Sequence, residues 1–87
     1  GTTIIDFTAS WCPPCQRIAP LFAQLAEASA DGVTLVKVDV DEASDVAETC
    51  GIEAMPTFKV FRDGKEVDVM KGADPAGLEA LVKKWSA

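Results

Sequence analysis

Apolar residues recur along this chain in two rhythms, one of a strand and one of a helix. Thr2 to Thr8 reads as a strand in which Ile4, Ile5 and Phe7 leave both faces apolar, which predicts a central position, with Asp6 the exception inside it. From about Pro13 to Ser29, Ile18, Leu21, Phe22 and Leu25 form one apolar stripe of a helix. Pro20 lies inside that helix and should kink it, and Gly32 is placed to follow its end. Val33 to Val40 alternates, with Val36, Val38 and Val40 on one side and Lys37 and Asp39 on the other. A short helix from about Ala43 to Cys50 follows, with Gly51 as its stop. Thr57 to Arg62 and Lys65 to Lys71 flank Asp63-Gly64, a hairpin signal. Asp74-Pro75 supplies an N-cap and a first-turn proline for a last helix with Leu78, Leu81, Val82 and Trp85 on its apolar face, and Lys83 and Lys84 suit its C-terminus.

The element order is therefore β-α-β-α-β-β-α. The first βαβ must be parallel with a right-handed crossover, and the hairpin is antiparallel. An α/β fold with a mixed four-stranded sheet and helices on both faces satisfies these rules. The chain has 87 residues, 48% of them hydrophobic and 25% charged, which supports one domain over residues 1–87. The net charge is −6 with no His, and an acidic surface disfavours nucleic acid as a partner. No apolar run is long enough for a membrane span, and no signal-peptide pattern stands at the start.

The chain has 3 cysteines, an odd number that does not suit a secreted disulfide framework. Cys12 and Cys15 form a C-x-x-C where the first strand gives way to the first helix. A helix start has unpaired N–H groups and a partial positive charge, and both favour a thiolate over a thiol. If Cys12 is the N-cap, Pro13 and Pro14 fill the next two positions and offer no N–H. The Cys12 sulfur must then take its bond from Cys15, by backbone N–H or by thiol, which draws the two sulfurs together. Cys15, partly covered by the helix, should be the less reactive thiol. A plausible cycle has the Cys12 thiolate attack a substrate disulfide and Cys15 resolve the mixed disulfide. A zinc site is the competing reading, but zinc takes about four N or S ligands, and one further Cys with no His does not supply them. A metal carrier bridged across two chains is a further alternative. So is a non-catalytic binding module, which would typically lack one cysteine of the pair.

Phe7-Thr8-Ala9-Ser10-Trp11-Cys12-Pro13-Pro14-Cys15 resembles thioredoxin, and most closely the h-type members. The likeness continues through Ile18-Ala19-Pro20, Lys37-Val38-Asp39-Val40-Asp41, Ala54-Met55-Pro56-Thr57-Phe58 and Lys71-Gly72-Ala73. The resemblance implies a minimal thioredoxin fold with strand order 2-1-3-4. It also implies a protein-disulfide reductase with Cys12 as nucleophile and Cys15 as resolving thiol. No bound cofactor is expected beyond the redox-active Cys12–Cys15 disulfide. The partners implied are disulfide-containing client proteins, with a flavin-containing thioredoxin reductase or glutathione and glutaredoxin as electron donor. A cytoplasmic protein serving electron transport and cell redox homeostasis is the matching expectation. The sequence departs from the family in two ways. Pro13 stands where the family usually has Gly, a pair of positions that tunes redox potential. The family's usual first strand and helix are not among these residues, so the expected domain is N-terminally shortened. That would leave the edge beside Val33–Val40 unpaired, an association hazard that predicts reduced stability or dimerisation.

Several single residues have two readings. A buried Asp6 would have a raised pKa and could take the Cys15 proton, the role the family assigns it; otherwise it is a strand-end acid in water. Lys37 either modulates Asp6 from the next strand or is a solvated lysine. The family implies a cis bond before Pro56, leaving the Met55 backbone to pair with an extended client segment; by propensity alone Pro56 is an ordinary strand start. Trp11 either shields the site and contacts substrate or is a core aromatic. Gly72 and Ala73 either line the substrate groove or make a plain turn. Cys50 reads as a buried, inert thiol, with a regulatory or dimer-forming thiol as the other reading.

Overall fold

The computed structural model describes residues 1–29 and 32–86. They form strand β1 (Thr2–Thr8), helix α1 (Pro13–Ala28), strand β2 (Val33–Asp39), helix α2 (Ser44–Thr49), strands β3 (Thr57–Arg62) and β4 (Lys65–Lys71), and helix α3 (Pro75–Trp85). The sheet order is β2-β1-β3-β4. β1 runs parallel to β2 and antiparallel to β3, and β3 pairs antiparallel with β4. β1 thus has a strand on either flank, the central position that its two-sided apolar pattern predicts.

Pleat alternation sorts the side chains into two layers. Ile4 lies opposite Val60 and Asp6 opposite Phe58, so these four share one face. On it sits the main core, where Ile4, Phe58 and Val60 of the sheet meet Ile18 and Phe22 of α1 and Leu78 of α3. The Phe22 and Phe58 rings lie 5.8 Å apart at a tilt of 36°, an arrangement that aromatic pairs favour. Each such buried side chain contributes roughly 1.5–3 kcal/mol by leaving water. The opposite face carries Ile5, Lys59 and Val69, and the end of α2 approaches it there, so helices stand on both faces.

Local signals mostly act where the pattern places them. Asp63 and Gly64 have φ of 55° and 80°, the left-handed pair that a two-residue hairpin turn requires. Gly51 leaves α2 at φ 68° and so stops it. Pro20 lies inside α1 without dividing it. Gly32 does not end α1. Ser29 does, its hydroxyl donating to the Ala26 carbonyl at 2.8 Å, while Gly32 stands beside β1 and accepts from Thr2 N–H at 2.9 Å. Asp74 holds the N-cap position of α3, yet its carboxylate makes no cap bond. It lies instead where a Gly77 side chain would stand, with the Met70 sulfur close by. In β2 it is Val33 and Leu35 that pack on the main core, while Val36 is 38% exposed.

The end of α3 is clasped to the sheet. Trp85 Nε1 donates to Asp68 Oδ2 at 2.8 Å, Lys84 Nζ reaches the same oxygen at 3.2 Å, and the Arg62 guanidinium lies 4.9 Å from the Trp85 ring centroid.

Candidate functional site

β1 ends at Thr8, and the next residues turn the chain into α1. Cys12 is the N-cap of α1, extended at φ −98° and ψ 106°, with Pro13 and Pro14 in the first two helical positions. Prolines fit there because those N–H groups have no helical partner. The first N–H able to reach the Cys12 sulfur is that of Cys15, and it does, at 3.3 Å. The two residues form a disulfide, with Cα atoms 5.3 Å apart, inside the usual range for such bonds.

Cys12 is 5% exposed and Cys15 1%, and with Ala9 they make a second small cluster against Val40 and Met55. The lower exposure of Cys15 matches its place inside the first turn. The peptide bond between Met55 and Pro56 is cis. The Met55 carbonyl oxygen lies 3.7 Å from the Cys12 sulfur. Pro56 is fully buried, and its carbonyl accepts from Gly72 N–H at 2.9 Å, which ties the loop before β3 to the end of β4. Gly72 is exposed at φ 97°, a conformation that suits glycine. Ala73 packs on the main core. Pro13 is exposed and Pro14 half-buried.

Trp11 is 63% exposed, so it is not a core aromatic. Its indole N–H donates to Asp41 at 2.8 Å. Asp41 in turn sits on a turn built by Asp39, whose Oδ1 accepts from the Asp41 and Glu42 N–H groups at 2.8 and 3.2 Å. Both acids belong to the Lys37–Asp41 segment that resembles the family, but nothing in the sequence ties either of them to Trp11.

Asp6 is 1% exposed, and its Oδ1 has no hydrogen-bond partner among the described residues. Burial pushes its carboxyl up to about 6, against the opposing pull of the Lys37 ammonium. Lys37 is its neighbour in the parallel register and is exposed. Asp6 faces the side of the sheet that α1 covers, the helix that carries Cys15. Behind the site lies an open cleft of about 340 Å³, lined by Ala9, Gln16, Lys37 and Glu42 among others. Trp11, Met55 and Gly72 do not line it, so it is separate from the surface in front of the sulfurs. Cys50 is a free, half-buried thiol at the end of α2. Among the described residues no group of His, Cys, Asp and Glu is arranged to hold a metal ion. No helix there is long and apolar enough to cross a membrane.

A disulfide that caps a helix where an inner strand of a mixed sheet ends defines a class, the dithiol–disulfide oxidoreductases. Comparison with known proteins narrows it. A sequence model of the Thioredoxin family matches residues 1–84. An H-type thioredoxin of Chlamydomonas reinhardtii is 51% identical over 84 residues, covering 97% of this chain and 74% of its own. A thioredoxin of Coprinus comatus is 50% identical over 82 residues, covering 93% and 77%. The crystal structure of the Malassezia sympodialis thioredoxin superposes with a TM-score of 0.94 at 45% identity, covering 99% of this chain and 78% of that one. The chain belongs to the thioredoxin family, and it is an oxidoreductase that works through a Cys12–Cys15 dithiol–disulfide couple.

Proposed function

We propose that residues 1–87 act as one domain that reduces disulfides in client proteins, with Cys12 as nucleophile and Cys15 as resolving thiol. The observation that carries the assignment of roles is the Cys15 N–H directed at the Cys12 sulfur, 3.3 Å away at a helix start. That donor and the helix-end charge hold a thiolate on Cys12 in the reduced protein. The thiolate attacks one sulfur of the client disulfide, and the other client sulfur leaves as a thiolate and takes up a proton. Cys15 then attacks the Cys12 sulfur of the mixed disulfide, and the second client sulfur leaves. Two electrons have passed from the dithiol to the client, and the protein is left with its own disulfide.

Asp6 serves as acceptor for the Cys15 proton in the second step. Its raised pKa keeps it a competent base near neutral pH, and Lys37 beside it favours the charged form. The client segment lies across Trp11, the Met55–Pro56 backbone and Gly72–Ala73, extended so that its backbone pairs with Met55. The Met55 carbonyl beside the Cys12 sulfur supports this placement. Pro13 and Pro14 shape the first turn and so set the poise of the couple.

The cycle requires no bound cofactor, since its electrons reside in the sulfur pair. A flavin-containing thioredoxin reductase or the glutathione and glutaredoxin system then regenerates the dithiol. A cytoplasmic setting, with a part in electron transport and redox homeostasis, accords with the H-type relatives. The test is reduction of a protein disulfide with dithiothreitol as electron source. Cys12→Ser should abolish turnover, and equal rates in the two proteins would refute the mechanism.

A further inference from the structure

Lys59 occupies the middle of β3 between Phe58 and Val60, both fully buried. The pleat turns it to the other face, beside Ile5 of β1 and Val69 of β4. Its side chain is only 12% exposed, and an ammonium so covered needs partners. It has two. Nζ donates to the Cys50 carbonyl at 2.6 Å and to Glu66 Oε1 at 2.7 Å.

The Cys50 carbonyl closes α2, where the end carbonyls have no partner within the helix and carry partial negative charge. A cation there is well placed. From Cys50 the chain leaves through Gly51 and crosses an irregular stretch to Met55. The far end of that stretch is held as well, by Thr57 Oγ1 donating to the Ala54 carbonyl at 2.6 Å. Both holds come from β3. Lys59 fixes the entry of the 51–54 stretch to the sheet, and Thr57 fixes its exit.

We propose that Lys59 is a positioning residue for client binding. Its ammonium anchors the end of α2 to the central sheet and so sets where the Met55 backbone stands beside Cys12. Lys59 touches neither sulfur, and it has no part in the electron transfer. The inference rests on the reading above that clients pair with the Met55 backbone.

The experiment compares two oxidants of the reduced protein. Insulin is a protein disulfide that needs the groove. The disulfide 5,5′-dithiobis(2-nitrobenzoate) is small and needs only the sulfurs. Lys59→Met keeps the length and packing of the stem but loses both bonds. It should raise KM for insulin about five-fold, with kcat and the small-disulfide rate within about two-fold of the parent. Lys59→Arg, which keeps the cation, should restore insulin KM. Lys59→Gln, polar but too short to span both partners, is read in the same way if the methionine variant does not fold. Unchanged insulin KM, or an equal fall in both rates, overturns the inference. Trp11→Ala separates the two readings. If it too leaves the ratio of the two rates unchanged, the groove itself is wrongly placed. If it alone changes the ratio, only the role of Lys59 fails.

Discussion

The Trp11 indole is tied to Asp41, its Nε1 donating to the carboxylate at 2.8 Å while the residue stays 63% exposed. An exposed tryptophan beside a reactive sulfur gains little from burial, so its orientation depends on that bond. Asp41→Ala should therefore leave folding nearly unchanged, with less than about 1 kcal/mol lost in urea titration. It should raise KM for a protein disulfide about three-fold without altering the thiolate reactivity of Cys12. Steady-state insulin reduction and alkylation by iodoacetamide measure the two separately.

The cysteine pair makes a sharper prediction. With Cys15→Ser the first exchange proceeds and the second cannot. A client disulfide should accumulate as a covalent adduct on Cys12, visible as a mass increase that dithiothreitol reverses. The rate of adduct formation against pH should show an apparent pKa below the ordinary cysteine value of about 8.5.

Asp6 links the site to stability. Its folded pKa of about 6 lies above the ordinary aspartate value of 3.8, so between those values the native state holds more protons than the unfolded one. Stability from this group is full below the unfolded value and is lost as pH rises toward 6 and beyond. The loss amounts to about 3 kcal/mol, because a tenfold change in proton affinity is worth about 1.4 kcal/mol. Asp6→Asn should remove that dependence, making the protein more stable at pH 7.5 and little changed at pH 4 by urea titration. The same variant should slow decay of the mixed disulfide and erase any inflection near pH 6 in its rate.

The Asp68 clasp behaves with the opposite sign. Its carboxyl is held below the ordinary carboxylate range, chiefly by the Trp85 indole N–H and further by Val69 N–H and Lys84, with partial burial opposing. Its contribution is present above the unfolded value and is lost as pH falls through the lower folded one. Asp68→Ala should cost about 1 kcal/mol at neutral pH, since it leaves the Trp85 N–H unpaired. Thermal unfolding at pH 7 should show the loss, and it should shrink in strongly acidic buffer.

Much of this was legible in the sequence, for reasons that differ by residue. Cys12 and Pro13-Pro14 announce a helix start through local chemistry alone, and Asp63-Gly64 announces its hairpin in the same way. β1 reads as central because both of its faces are apolar. Lys59 was not legible: a lysine in a strand looks like a solvated one, and its true partner, the Cys50 carbonyl, is brought there only by the packing of α2. Asp74 was legible as a cap by position but not by bond, because its carboxylate finds room over Gly77. Alternation in β2 gave its two sides, while only the docking of α1 and α3 determines that Val33 and Leu35 rather than Val36 meet the core.

Two groups that the Cys12 sulfur meets by hydrogen bonding, the Cys15 nitrogen and the Met55 oxygen, both belong to the main chain. Short of a proline at position 15, no replacement of a side chain deletes either one. The grip on the Cys12 sulfur therefore survives most exchanges of side chain at Met55 and along the rim, whereas the proton transfer through Asp6 and the turn shaped by Pro13 and Pro14 do not share that protection.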